Sequence, residues 1–334
     1  MNILAIESSC DDTSVAILQD GRKICSNLIS SQIEVHRLFG GVVPEIASRR
    51  HLESVNRLLG EAFREAEMTV KDIDLVTVTR GPGLVGALLV GISAAKAISY
   101  VRGIPIVGVN HMEGHVSANF IASPDLEPPF HTLVVSGGHT YLCTVADYAS
   151  FQVAGSTVDD AAGECLDKVA RVLGLGYPGG PAIQKIAEQG NPDAFSFPRA
   201  MMREEDGLQM SFSGLKTAVM QAVRKIQQSG EAIPVADLAA SVQKAVVDAL
   251  VQKSVRLMEK CPLPAFCLSG GVAANVLLRN EMAQACKERG IQFHVPPAVL
   301  CTDNAAMIGA AGYFRYKKDG ADDLNFVVDP DLSL

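Results

Sequence analysis

The sequence predicts an α/β protein built as two similar doubly wound halves, and three observations carry that prediction. Apolar β-rich runs alternate with longer segments of helical period along the whole chain. Two stretches, NILAIESSCDDTSVAIL from residue 2 and HTLVVSGGHTYLCTV from residue 131, share one construction, an apolar strand broken by a short polar turn and resumed. A chain of 334 residues also exceeds the roughly 250–300 at which one core stops growing, so two domains are expected. Their boundaries are placed at 1–130 and 131–334. Within the second, residues 176–212, rich in Gly, Pro and Met, read as an insertion able to cover a site.

The elements follow in order. After the first hairpin come a helix from Glu45 to Ala66, a strand from Asp74 to Thr79, a glycine-studded helix from Gly83 to Tyr100 and a strand from Ile104 to Val109. After the second hairpin come helices from Asp159 to Leu173, Leu215 to Gln228 and Val235 to Lys260, then the strand AFCLS at 265–269. A helix opening on SGGVAAN, a strand near Phe293 and a last helix from Asn304 complete the chain. The helix at 45–66 is amphipathic, with Ile46, Leu52, Val55, Leu58, Leu59 and Phe63 at helical spacing; this stripe serves a core or a pairing face equally well.

Composition narrows the function. A net charge of −8 argues against a protein whose main business is coating a polyanion, so contact with nucleic acid must rest on local patches. Three are available, Arg199 with Arg203, Lys216 with Arg224 and Lys225, and Arg315 with Lys317 and Lys318, and each also reads as a solvated helix face. The eight cysteines contain no C-x-x-C pair and fall mostly in apolar runs, the pattern of reduced thiols in a cytoplasmic protein. The chain opens directly on a strand without a basic, apolar leader, so no secretion signal is expected. The apolar stretch Leu84 to Ala95 is short for a bilayer and is expected to be a buried helix, with no membrane association.

VNHMEGHVSA, residues 109–118, is the first candidate for chemistry. A zinc-protease helix reads H-E-x-x-H, whereas here Glu113 follows His111 by two positions and points roughly 200° around the helix from it. Glu113 instead stands three residues after Asn110, the spacing of a capping box. His111 and His115 share a face, so they either hold a cation together or lie at a surface or interface. Asp303, in VLCTDNAAM, is a possible third ligand and also a plausible helix-start residue.

Gly81, Gly83 and Gly86 match G-x-G-x-x-G, but no acid ends the next strand, so they are expected to let a helix pack closely rather than to bind a dinucleotide. No Walker loop occurs. Three small-residue turns remain, Ser8 to Ser14, SGGHT at 136–140 and SGGVAAN at 269–275, each after an apolar strand and each able to bring backbone N–H groups to a phosphate. In this order they suggest the ATP-grasping, two-domain fold of actin, sugar kinases and heat-shock protein 70, with the site in the interdomain cleft.

IESSCDDTSVAI, FGGVVPEIASRRHLE, GPGLVGALLVG, NHMEGH, LVVSGGHT, LDKVARVLGLGYPGGP, FSGLKTA, LSGGVAANVLLR and TDNAAMIGAAG, taken in chain order, resemble the bacterial form of the TsaD-type tRNA threonylcarbamoyladenosine transferases, once described as O-sialoglycoprotein endopeptidases. The resemblance implies a duplicated actin-like fold and transfer of the threonylcarbamoyl group of threonylcarbamoyl-AMP to N6 of the adenosine 3′ of the anticodon, in tRNAs reading codons that begin with A. It implies one divalent metal ion, iron or zinc, on His111, His115 and Asp303. It also implies an adenylate held by Ser136, Gly137, Gly138, His139 and Thr140 with Asp167, Gly180 and Asn275, in a cleft that also accepts ATP or ADP, with Ser9 on the facing hairpin. Asp11 and Asp12 stand where a carboxylate would take a proton from the attacking amine; many relatives have glutamate at the position of Asp12, which leaves the identity of a base open. The implied partners are tRNA, a TsaB-type paralogue, a TsaE-type ATPase and the synthase that supplies threonylcarbamoyl-AMP, with a homodimer also open. The alternative that the fold alone allows is a kinase or ATPase acting on a small metabolite.

Overall fold

The computed structural model describes residues 1–334, which separate into two compact units. The first comprises Met1–Pro128, Val145–Gln152 and Pro296–Leu334; the second comprises Pro129–Thr144 and Val153–Val295. The expected division at 130/131 therefore needs a correction, because the C-terminal segment returns to the first unit.

The first unit begins with β1 (Asn2–Glu7), β2 (Asp12–Gln19) and β3 (Lys23–Ser31), followed by α1 (Ile33–Arg37), α2 (Pro44–Glu65), β4 (Leu75–Gly81), α3 (Val85–Arg102), β5 (Ile106–Asn110) and α4 (His111–Ala122). Its sheet has the order β3-β2-β1-β4-β5, with β1 antiparallel to β2 and parallel to β4. A strand in the middle of a covered sheet must be apolar on both faces, and β1 is. Ile3 and Ala5 join one core with Leu18 and Val109, whereas Leu4 and Ile6 face the opposite cores with Leu58 and Leu88. This alternation is the two-residue period of a strand.

The second unit contains β6 (Phe130–Val135), β7 (Thr140–Asp147), β8 (Ser150–Ser156), α5 (Ala162–Val172), α6 (Gly179–Ala187), α7 (Ser213–Ser229), α8 (Val235–Lys260), β9 (Ala265–Ser269), α9 (Val276–Glu288) and β10 (Gln292–His294). The tip of the β7–β8 hairpin is the part that belongs to the first unit. The sheet order is β10-β9-β6-β7-β8. Ranked along the chain, both sheets read third, second, first, fourth, fifth, so the duplication suggested by two hairpins holds for the whole strand order.

The chain then re-enters the first unit through α10 (Ala298–Cys301) and α11 (Ala305–Asp319). α11 covers the open face of β1 because small residues let it lie close. A Cβ at Gly312 would stand 2.3 Å from Thr77 Cγ2, and one at Gly309 2.5 Å from Leu18 Cδ1. Sequence reading ended the second domain at the C-terminus because nothing local says which sheet a terminal helix will choose.

Further differences concern single elements. β3 and β8 were not anticipated; both carry Ser among their apolar residues and are only partly buried. The segment 176–212 is no plain loop, since it holds α6 and is tied to α8 by an Arg199–Asp248 ion pair at 2.6 Å and a bond from Lys253 Nζ to the Gly207 carbonyl. α3 is long and apolar enough to cross a membrane by length and composition. In the fold Leu88, Ile92 and Ala95 are buried beside Ile6 and Val78, while Val85, Leu89 and Val101 are exposed. The helix is thus buried on one face rather than wholly.

Candidate functional site

β5 delivers the chain to Asn110, whose side-chain oxygen accepts the Met112 N–H at 2.8 Å and starts α4. His111 and His115 then fall on one face a turn apart, with ring centroids 4.7 Å from each other. Gly114, between them in sequence, lets α4 approach α11: a Cβ there would stand 2.7 Å from Ile308 Cδ1. Asn304 caps α11 through Met307 N, and Asp303 directly precedes that cap. Asp303 Oδ1 therefore lies 3.3 Å from His111 Nε2 and 3.3 Å from His115 Nε2.

The three ligand atoms all lie within 4.8 Å of one another. His115 is fully buried, and neither of its ring nitrogens has a hydrogen-bond partner. A buried imidazole without a partner is costly, and a cation shared with His111 and Asp303 would satisfy its Nε2. Two neutral imidazoles and one carboxylate are a donor set for a divalent transition metal that keeps positions open for other ligands. The residues present fit such an ion.

Electrostatics bind the cluster together. Burial pushes His111 down, but Asp303 on one side and Glu7 on the other outweigh it and hold the ring well above the ordinary histidine range. Burial likewise pushes Asp303 up, and the two histidines reverse that, leaving its carboxyl well below the usual range. Glu7 follows the same logic, raised by burial and brought below its ordinary value by His111. His115, with burial dominant, is lowered.

Asp11 and Asp12 stand on the turn before and at the start of β2. Burial first and Asp303 second raise both, Asp12 to about 7, and Asp12 Oδ1 is buried without a hydrogen-bond partner. A cation on the triad would pull both back down. Ser9 Oγ lies 3.2 Å from His111 Nδ1. The turn itself is held from α2, where His51 accepts from Thr13 Oγ1 at its Nδ1 (2.7 Å) and donates from Nε2 to the Cys10 carbonyl (3.0 Å).

Glu113 does not form the expected capping box. It is half-buried beside Arg315, 3.8 Å away, on the side of α4 facing α11, and burial raises its carboxyl. Asn110 is still paired with Gly81 as the last residue of β5 and caps the helix alone. The glutamate thus points away from the histidine pair, which removes the protease geometry.

In the second unit the SGGHT turn is tight, with Ser136 N–H donating to the His139 carbonyl (2.9 Å) and Ser136 Oγ accepting from His139 N–H (3.1 Å). A Cβ on Gly137, Gly138 or Gly180 would meet nothing within 4 Å, so their backbones face open space. Thr140 Oγ1 accepts from Ala162 N–H at 3.0 Å and ties the turn to the start of α5. Asp167, on α5, accepts from Gly179 N–H at 2.7 Å, which fixes the turn leading to Gly180. Asn275 is the N-cap of α9, accepting from Leu278 N–H and donating to Gln243 Oε1 at 3.0 Å.

The sequence matches the family described as "TsaD: tRNA N6-adenosine threonylcarbamoyltransferase" over residues 23–310. A tRNA N6-adenosine threonylcarbamoyltransferase of Clostridium botulinum (strain 657 / Type Ba4) is 53% identical over 334 residues, covering 100% of this chain and 98% of the relative. The chain belongs to the tRNA N6-adenosine threonylcarbamoyltransferase family. It is an enzyme, a transferase acting on tRNA adenosine at N6. Solved structures agree on the fold. HypF of T. kodakarensis superposes with a TM-score of 0.66 at 15% identity, over 95% of this chain and 48% of that one. Component A of the Acidaminococcus fermentans (R)-2-hydroxyglutaryl-CoA dehydratase superposes with a TM-score of 0.55 at 15% identity, over 95% and 100%.

For a threonylcarbamoyltransferase the basic patches matter, and four of their eight basic residues already face a carboxylate. Arg199 pairs with Asp248, Arg203 with Glu205, Arg315 lies near Glu113, and Lys318 pairs with Asp147. Sequence reading also overlooked two residues that contact the candidate site, Glu7 beside His111 and His51 beside the turn before β2. Glu7 ends an otherwise apolar strand, and a lone acid inside such a run was the available signal.

Proposed function

We propose that this chain moves the threonylcarbamoyl group from threonylcarbamoyl-AMP to N6 of the adenosine 3′ of the anticodon, in tRNAs that read codons beginning with A. The adenosine amine attacks the carbamoyl carbon, the bond from that carbon to the phosphate oxygen breaks, AMP departs with the bonding pair, and the amine gives up one proton. AMP is a good leaving group, so positioning and stabilisation of developing negative charge dominate over covalent help.

The observation that carries this reading is the convergence of His111, His115 and Asp303, whose ligand atoms lie within 4.8 Å of one another while the buried His115 ring makes no hydrogen bond. A divalent ion, iron or zinc, held by these three residues would supply a Lewis acid and a template for the oxygens of the acyl donor. Asp12, with one oxygen buried and unbonded, is the proton acceptor we favour, and Asp11 is its neighbour on the same turn. Within the turn from Ser136 to Thr140, where the Ser136 and His139 N–H groups are spent on the turn itself, Gly137 and Gly138 offer backbone N–H groups to the phosphate, and Gly180 leaves room for the ligand. Asp167 and Asn275 line the nucleoside side, and ATP or ADP would use the same contacts.

The partner reading follows from α2 and α3. Val55 and Leu58 are consumed by the core, but Leu52 is 62% exposed and Leu89 46%, leaving an apolar strip between the two helices suited to a TsaB-type paralogue. A TsaE-type ATPase and the synthase that makes threonylcarbamoyl-AMP complete the proposed partners.

A transfer assay with unmodified tRNA and threonylcarbamoyl-AMP, run with both partner proteins, tests the proposal. Wild type should form modified adenosine and His111→Ala should lose both metal and product. A folded, metal-loaded wild type that makes no product, or an unchanged His111→Ala, would overturn it.

A further inference from the structure

Glu7 is completely buried at the end of an apolar strand, and the reaction proposed above assigns it no part. Hiding a carboxylate costs several kcal/mol unless its oxygens are well bonded, so its contacts report what holds it there. Oε1 accepts from the Ser9 N–H at 2.5 Å, and Oε2 accepts from Thr79 Oγ1 at 2.5 Å. Oε2 also stands 3.0 Å from His111 Nδ1, the ring nitrogen that faces away from Asp303. One donor comes from the backbone after β1 and another from a side chain of β4, so the carboxylate is fixed by two strands before it meets the imidazole. Ser9 Oγ, 3.2 Å from the same nitrogen, adds a second oxygen. A nitrogen facing a carboxylate must carry the proton, which leaves Nε2 as the ligand atom. His115 has no equivalent support, since its Nδ1 has no hydrogen-bond partner.

We propose that Glu7 is the positioning residue of the metal centre: by holding Nδ1–H of His111 it sets the ring's orientation and tautomer so that Nε2 meets the ion alongside His115 and Asp303. The proposal rests on the metal reading given above. It makes the two histidines unequal, one oriented by a charged partner and the other by packing alone. Partners of this kind that orient a metal-bound histidine are typically worth about 10–100-fold in metal affinity.

Metal-free wild type, Glu7→Gln, Glu7→Ala and His111→Ala would be titrated with Co2+ against a competing chelator, recording affinity and the visible ligand-field spectrum, with urea unfolding of each metal-free protein in parallel. The expected order of affinity is wild type, then Glu7→Gln, then Glu7→Ala, with a loss of roughly 10–100-fold for the alanine variant and an altered spectrum. Glu7→Gln keeps the shape and one acceptor, so it stays informative where the alanine variant fails to fold. If the folded Glu7 variants bind Co2+ with wild-type affinity and spectrum while His111→Ala does not, Glu7 is merely structural and the proposal falls, leaving the metal reading intact. If His111→Ala also binds like wild type, the metal reading fails first and takes this inference with it.

Discussion

At the start of α4 two imidazoles and two carboxylates are packed together, both histidines and Glu7 buried, and each charge is compensated by another. At 136–140, by contrast, two glycines present bare backbone to open space, and no side chain of the turn carries a formal negative charge. Both regions follow an apolar strand, yet they handle ligands differently. The first prepares a site by burying charges that are stable only together, so its parts cannot be removed singly. The second prepares a site by leaving space, so its parts contribute little until a ligand arrives.

Replacing one charged partner breaks the comparison most severely. Asp303→Asn removes the shared ligand of both histidines, and metal content should fall to background with transfer reduced on the order of 10³-fold, the equivalent of about 4 kcal/mol. Metal analysis beside the transfer assay reads both. A variant retaining metal and rate would show that the charges do not act as a unit.

Two glycine substitutions separate space kept for packing from space kept for a ligand. In Gly138→Val the added Cβ meets no neighbour, so the urea midpoint should match wild type while the apparent KM for threonylcarbamoyl-AMP rises roughly 10–100-fold, from a clash of about 1–3 kcal/mol with the bound ligand. Gly114→Ala should do the reverse. Its methyl presses on Ile308, costing about 1–3 kcal/mol of stability by urea denaturation and loosening the approach of α4 to α11. A destabilised Gly138→Val would mean that the turn is packed after all.

The smallest effect concerns His51, which steadies the turn carrying Asp11 and Asp12. Burial holds its pKa below the ordinary value, so between that lowered value and about 6.5 the unfolded chain binds a proton that the folded one refuses. Its contribution to stability is therefore present above pH 6.5 and falls away as the solution is acidified. His51→Gln should flatten that part of the stability profile measured by urea titration at stepped pH; an unchanged slope would remove His51 as the source.

Legibility in the sequence followed the range of the interactions. The bounds of α8 and β9 coincide with those read from the sequence, because a long helical apolar period and a short apolar run bounded by Pro264 and Gly270 are local signals. β3, α6 and β8 were lost where Ser, Gly or Pro diluted such signals. Glu113 was misjudged because Arg315, far along the chain, competes for it. For the triad, the residues alone left open whether the histidines hold a cation and whether Asp303 joins them; motif resemblance implied that they do, and the geometry places Asp303 3.3 Å from both rings.

By itself the sequence determined the alternation of strands and helices, the two matching hairpins, the Asn110 cap and the placing of His111 and His115 on one helix face. Each of these follows from backbone periodicity, capping or turn chemistry within a few residues. Only the tertiary structure decided that the C-terminal helix folds back on the first sheet, bringing Asp303 to the histidines, and that Glu7 reaches His111 across 104 positions of chain. Those meetings depend on which apolar faces cover each other. Burial drives that choice without direction or memory of sequence distance, and the charged groups then settle wherever compensation is found.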